Sequence, residues 1–362
     1  MTPNPLLGVV YHWLGGLAAG SFYLPYKGVR RWSWETYWLV GGVFSWVIAP
    51  SLVATLFVPH LGSVLRDAPG SAIFWTYFWG LMWGVGGLTF GLSLRYLGMS
   101  LGYAVALGFC AVFGTLMPPL FAGTIAQTIA TRAGQIILLG MALCLAGIAI
   151  AGAAGRRRER ELPRDPAGGD ATIEFNFPKG IVVAVFAGVL SASMAYGLAA
   201  AEPIAASALA HGTPAIWSGL PKLVVVLAGG FTTNAVWCLL LNARNGTARE
   251  YIGGVNNAGG DHAPARRPVP LAVNYLLCAA AGVTWYFQFF FYTMGETQMG
   301  AYKFSSWTLH MASIIVFSTL WGVALREWKG TRFATRLLVA AGLATLVAAT
   351  VVIGFGNYAA SK

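Results

Sequence analysis

The sequence predicts an all-α integral membrane protein of ten transmembrane helices, arranged as two inverted five-helix repeats. Three observations lead there. Of the 362 residues, 57% are hydrophobic and only 10% are charged, where a soluble domain carries roughly a quarter. The apolar residues fall into ten runs, each close to the ~20 residues that a helix needs to cross hydrocarbon. The longest polar segment, 155–176, lies midway and leaves five runs on either side. An odd number of crossings per half forces the two halves into opposite orientations, the usual architecture of secondary transporters.

The runs lie near 6–26, 37–58, 71–94, 99–122, 134–154, 179–201, 215–241, 269–293, 304–325 and 333–355. The first lacks a basic leading region and a small-residue cleavage site, so it reads as a retained span. Only the Arg95–Gly98 turn separates the third from the fourth. Glycine and proline are frequent inside the runs, as at Gly86-Gly87 and Pro118-Pro119. In a bundle, small residues permit close helix contact, and neighbours satisfy the backbone groups that proline frees. The expected division is 1–154 for the first repeat, 155–177 for a cytoplasmic linker and 178–362 for the second repeat. Gly8, Gly16 and Ser21 recur as Gly180, Gly188 and Ser193 at one constant offset, in keeping with duplication. The segment 242–268, rich in Gly, Asn and Arg without helical period, reads as a loose loop.

Charge sets the orientation. Of the 23 Lys and Arg, 18 lie in or beside the loops after runs 1, 3, 5, 7 and 9. The other side holds Arg66, Arg132, Lys303 and Lys362, while Lys222 falls within a run. Basic loops stay in the cytoplasm, so both termini are expected in the periplasm. The same distribution accounts for the net charge of +11 without a basic patch for nucleic acid. Four cysteines, Cys110, Cys144, Cys238 and Cys278, sit inside apolar runs without metal-ligand spacing and read as small buried hydrophobes. Nothing in the sequence sets an oligomeric state.

The polar residues inside the runs are the informative set, because each is costly in hydrocarbon unless it faces a partner or a water-filled cavity. His12 and His310 each lie about six residues inside a span from the outer face, roughly 9 Å deep at 1.5 Å per residue. Gln288, in the aromatic stretch 285–311, falls at similar depth. Either histidine could be structural, bonded to a neighbouring backbone, or functional, since an imidazole changes protonation with modest shifts in environment. Glu35 opens the second span behind Ser33, where a cap and the helix dipole account for it; a cytoplasmic gate pairing Glu35 with Arg95 is the minority reading, and Arg95 otherwise snorkels to headgroups. Lys222 is expected to be neutralised by Glu202, while Glu296 and Lys303 read as a solvated outer loop. Among the many tryptophans, Trp13, Trp79, Trp83 and Trp307 lie deepest and are candidates to stack on a sugar ring, with helix packing as the alternative for each. Nucleophile triads, metal motifs and phosphate-binding glycine loops are missing from the sequence, which argues against an enzyme and against a metal or organic cofactor.

The runs YHWLGG (11–16), FYLPYKGVRRWSWETYW (22–38), WGVGGLTFGLSLRYLGMSLG (83–102), GTLMPP (114–119), WYFQFFFYTMG (285–295) and SSWTLHM (305–311) together resemble the bacterial L-rhamnose–proton symporter family, within the drug/metabolite transporter superfamily. The likeness runs in order along nearly the whole chain. It implies the ten-helix inverted-repeat fold of that superfamily, an inner-membrane location, and uptake of a 6-deoxyhexose with a proton as coupling ion and no cofactor. It also implies a cavity lined mainly by spans 1, 3, 4, 6, 8 and 9, with His12, Tyr23, Lys27, Trp34, Glu35, Arg95, Gln288, Trp307 and His310 matching the family position by position. The stretches 202–222 and 296–304 depart from the enterobacterial pattern, which bears on the exact sugar. The expected substrate-binding set is His12, Trp13, Tyr23, Trp79, Trp83, Gln288, Trp307 and His310. The expected proton-coupling set is His310, His12 and Glu35. The nearest rival is a transporter of the same fold with another cargo, such as an L-lyxose or L-mannose type sugar or an exported metabolite.

Overall fold

Residues 3–97, 99–162, 176–253 and 269–360 are described in the computed structural model, and every regular element among them is helical. In chain order the α-helices are α1 (Pro5–Ser21), α2 (Tyr23–Tyr26), α3 (Trp34–Gly42), α4 (Ala49–Phe57), α5 (Leu61–Asp67), α6 (Gly70–Leu97), α7 (Met99–Phe121) and α8 (Ile125–Ala130). They continue as α9 (Arg132–Glu161), α10 (Phe177–Ser191), α11 (Ser193–Ala200), α12 (Glu202–Ala210), α13 (Leu220–Asn245), α14 (Leu271–Glu296), α15 (Ser306–Ala324) and α16 (Phe333–Ala360). Seven stretches are long and apolar enough to cross a membrane: Trp34–Phe57, Arg132–Glu161, Pro178–Ala210, Ala215–Asn245, Leu271–Glu296, Gly300–Ala324 and Phe333–Ala360. The protein is therefore an all-α membrane protein. Helices α1, α6 and α7 fall at the three remaining apolar runs.

Local chemistry explains the breaks. Between α3 and α4 the chain passes through a π-helical turn, Val43–Ile48, just before Pro50. Proline lacks the N–H that would close an α-helical bond four residues back, and a wider turn absorbs the fault. Helix α7 runs through Pro118-Pro119 in its last turn, where the two prolines cannot donate to the carbonyls four residues back. Asn4 caps α1 by accepting from the Leu7 amide, and Asn176 caps α10 by accepting from the Lys179 amide. These two caps are related by the same offset that relates Gly8 to Gly180.

Close contacts show how the helices run. An added Cβ on Gly16 would meet Ser313, and one on Gly20 would meet Phe317 and Ser318, so α1 and α15 lie parallel. Gly8 meets Gly295 and Gly15 meets the Gln288 carbonyl, so α1 and α14 lie antiparallel. In the other half, α10 lies antiparallel to α6 (Gly180 against Leu97, Leu190 and Ser191 against Gly86) and parallel to α7, Gly188 standing against Ala106 and Phe109 while Tyr196, just beyond α10, bonds the Phe113 carbonyl. Helices α9 and α16 pair antiparallel along their length, Gly140 against Ile353 and Gly147 against Leu346. The main core joins Trp46, Met194, Leu223, Tyr286, Phe289, Tyr292 and Trp307 from five helical segments.

One expectation is overturned in part at the end of this bundle where α14 finishes. Glu296 is not in a solvated loop, while Lys303 is exposed as expected. Helix α14 extends to Glu296, whose Oε2 accepts from the Lys222 ammonium at 2.9 Å with the side chain only 15% exposed. Lys222 also donates to Glu202 at 2.7 Å, the expected pairing, and Lys303 bonds the other oxygen of Glu202. Lys222 is almost wholly buried. An ammonium out of water needs counter-charges close by, and a single partly exposed carboxylate would leave it poorly compensated. The turn 300–305 folds back to complete the network.

Candidate functional site

Three helices build the centre of interest: α1, α14 and α15. Gly15 and Gly16 on α1 let it approach so closely that Cβ atoms there would stand 2.7 Å from the Gln288 carbonyl and 2.3 Å from Ser313 Oγ. That approach brings His12 of α1 and His310 of α15 together, both fully buried, with ring centroids 6.5 Å apart. Ser313 Oγ lies 2.9 Å from the His12 carbonyl and 2.8 Å from the His310 carbonyl, holding the two backbones in register. The side chains themselves are unpaired: among the described residues, none of the four ring nitrogens has a hydrogen-bond partner. Nor has Ser306 Oγ, one turn before His310. A buried donor or acceptor left without a partner costs about 1–3 kcal/mol, which marks this cluster as a candidate site rather than a packing element. Its donors and acceptors suit a ligand with several hydroxyls or a proton.

Tyr292 of α14 fills the wedge between the histidines. Its ring lies edge-on to His12 at 5.2 Å and to His310 at 5.3 Å, and 6.0 Å from Trp307. Sequence reasoning passed over it as one aromatic among many in FFFYTMG. The available signal was spacing: Gln288, Tyr292 and Glu296 recur every four residues, one polar stripe on a helix. Gln288 is buried as expected, and its backbone and the His310 ring both pack on Gly15.

The aromatic candidates separate. Trp307 is buried beside His310, but its indole N–H donates to the Cys110 carbonyl at 3.0 Å and its ring packs on Gly114, so it also ties α15 to α7. Trp13 packs edge-on to Phe317, with its indole nitrogen unpartnered. Trp83 belongs to a tryptophan cluster with Trp46 and Trp285, joined through Phe289 to His310. Trp79 packs against Tyr196 on α11. Tyr23 is half exposed at the far end of α1, roughly 16 Å along the helix rise from His12, beside Tyr26 and Tyr37. The structure does not bring Tyr23 to the histidines.

Glu35 lies at that far end too. Its buried carboxylate accepts from Asn245 Nδ2 at 2.9 Å and Thr247 Oγ1 at 3.1 Å. Nearby, Asn242 donates to the Tyr251 hydroxyl at 2.8 Å, and burial pushes the Tyr251 phenol up to about 12. The Arg95 side chain lies outside the described residues, and so does its pairing with Glu35. Among the described residues no group of three His, Cys, Asp or Glu stands close enough to hold a metal ion.

Comparison with known proteins agrees with this picture. The sequence model described as L-rhamnose-proton symport protein matches residues 1–359. Proteins named L-rhamnose-proton symporter are similar over 354 residues, 97% of this chain and 97% of each of them. The one from Cronobacter sakazakii is 36% identical, that from Klebsiella pneumoniae subsp. pneumoniae 34%, and that from Salmonella paratyphi B 35%. On a match this complete, the chain belongs to the L-rhamnose-proton symport protein family, a family of transporters rather than enzymes.

Proposed function

We propose that this chain carries L-rhamnose across the bacterial inner membrane in symport with a proton, through a site between α1, α14 and α15. The names of its relatives support the cargo and the coupling ion. The carrying observation is the facing pair His12 and His310, buried with four unpartnered ring nitrogens. Protonation turns an imidazole into a donor at both nitrogens, so a proton taken up there changes what the site offers a sugar hydroxyl. Gln288 and Trp307 contribute a polar edge and an aromatic face, and His310 is the leading proton carrier, ahead of His12 and then Glu35.

The fold reading that goes with this function is ten crossings in two inverted repeats, 1–154 and 178–362 around the linker 155–177, with both termini periplasmic. Its support is the reciprocal packing: α1 is antiparallel to α14 and parallel to α15, as α10 is antiparallel to α6 and parallel to α7. Matching caps at Asn4 and Asn176 add to it. Alternating access to a site between the repeats follows from that architecture.

The test is uptake of radiolabelled L-rhamnose into proteoliposomes holding the purified protein, with and without a pH gradient acidic outside. Concentrative uptake is expected only with the gradient, and unlabelled L-rhamnose should compete better than L-lyxose, L-mannose or L-fucose. Uptake indifferent to the gradient would remove the proton, and stronger competition by another sugar would change the cargo.

A further inference from the structure

Resting on the reading above, we propose that Tyr292 is a positioning residue that couples the two histidines, so that a proton on one alters the hydrogen bonds that the other offers the sugar. The geometry singles it out. The histidine rings are 6.5 Å apart, yet each lies within 5.3 Å of the Tyr292 ring, centroid to centroid. Tyr292 is thus nearer to both than they are to each other, and it reaches them from a third helix. Its side chain is 3% exposed and makes no hydrogen bond to another described residue.

The chemistry fits the place. A neutral imidazole has one donor and one acceptor, an imidazolium two donors, and a phenol one donor with lone pairs to accept. A phenol beside two imidazoles can therefore serve either as donor or as acceptor. In this structure it bonds neither ring, and the coupling operates once sugar binding brings it within hydrogen-bond reach. It then donates to the ring nitrogen of a neutral His310. When His310 takes a proton, the phenol oxygen accepts from the new N–H, and its own proton turns to His12 or to a sugar hydroxyl. No covalent bond changes in this exchange, and the proton that enters on His310 leaves from His310. A phenylalanine here would keep the ring contacts and lose this response.

The surrounding charges are few and named. The groups that face Tyr292 are His12 from α1 and His310 from α15. Glu296 stands one turn above on α14, where Lys222 of α13 holds it, and Glu202 of α12 and Lys303 complete that network. The two carboxylates are the charges within electrostatic reach of the phenol. The stripe Gln288, Tyr292, Glu296 therefore runs from the sugar layer to the outer charge network along one helix.

The experiment compares wild type, Tyr292→Phe and His310→Gln, each purified in detergent and checked for an unchanged melting temperature. Binding of L-rhamnose is measured between pH 5 and 8, and uptake in proteoliposomes with a pH gradient. For Tyr292→Phe the expected result is about tenfold weaker binding at acid pH, a flattened pH dependence of affinity, and sugar exchange faster than gradient-driven accumulation. A Tyr292→Phe protein whose affinity and pH profile match wild type overturns the proposal, whatever His310→Gln does. Weaker binding with the wild-type pH dependence overturns it as well, because that is the signature of a simple packing or contact role. If His310→Gln also behaves as wild type, the histidine site itself is wrong, a failure distinguishable from that of Tyr292 alone.

Discussion

The imidazole rings of His12 and His310 face each other across 6.5 Å at a tilt of 60°, both fully buried and, among the described residues, without a hydrogen-bond partner at any nitrogen. They come from opposite ends of the chain and are held by backbone contacts, through Ser313, rather than by their own side chains.

His310→Gln is expected to abolish accumulation of sugar on a pH gradient, while exchange across an equilibrated membrane survives in part because it needs no net proton movement. Proteoliposome uptake and counterflow separate the two. If His310→Gln and His12→Gln both still concentrate sugar, the proton rides elsewhere and Glu35 is the next residue to change.

Gly16→Ala should disturb the site from a distance. Its new methyl would fall 2.3–2.6 Å from Ser313, with atoms of the α15 backbone among those it strikes. Overpacking of this kind costs about 1–3 kcal/mol. A melting temperature in detergent several degrees below wild type is expected, together with weaker sugar binding. Unchanged values for both would show that α1 and α15 have slack the contact distances do not reveal.

Gln288→Ala and Trp307→Ala should differ. The first removes a buried side chain that bonds no other described residue and is expected to weaken sugar binding by about 0.5–1.5 kcal/mol with folding intact. Trp307→Ala also removes the indole donor to the Cys110 carbonyl and opens a cavity beside Gly114, and should cost about 3–5 kcal/mol of stability. Thermal melts beside binding isotherms read both.

Lys222→Met leaves Glu296 and Glu202 facing each other without the ammonium between them. Breaking a buried pair costs about 3–5 kcal/mol; the lower end is expected because Glu202 is partly solvated. Adding Glu296→Gln should recover a good part of the loss. A double variant no more stable than the single one would show that charge is not what the network contributes.

For topology, reporters fused after residue 362 should report the periplasm and reporters placed in 155–177 the cytoplasm. A cytoplasmic C-terminus would overturn the even count of crossings, and the Arg95–Gly98 turn would be the first place to look.

Much was legible in the sequence because membrane folding writes it in one dimension. Apolar length marks the spans, and a charge inside a span demands a counter-charge, which is why Lys222 with Glu202 could be read directly. Depth was legible too, because helix rise alone puts His12, Gln288 and His310 in one layer. What a linear pattern does not carry is the direction in which each side chain points around its helix, or which helix stands opposite. Only the close approach of α1 at Gly15 and Gly16 decided that His12 meets His310, that Tyr292 fits between them, and that Tyr23 is left at the far end. The same packing turned Trp307 toward Cys110 and drew Glu296 in to Lys222, because a buried donor or ion is settled by the partner within about 3 Å, and that partner is chosen in three dimensions.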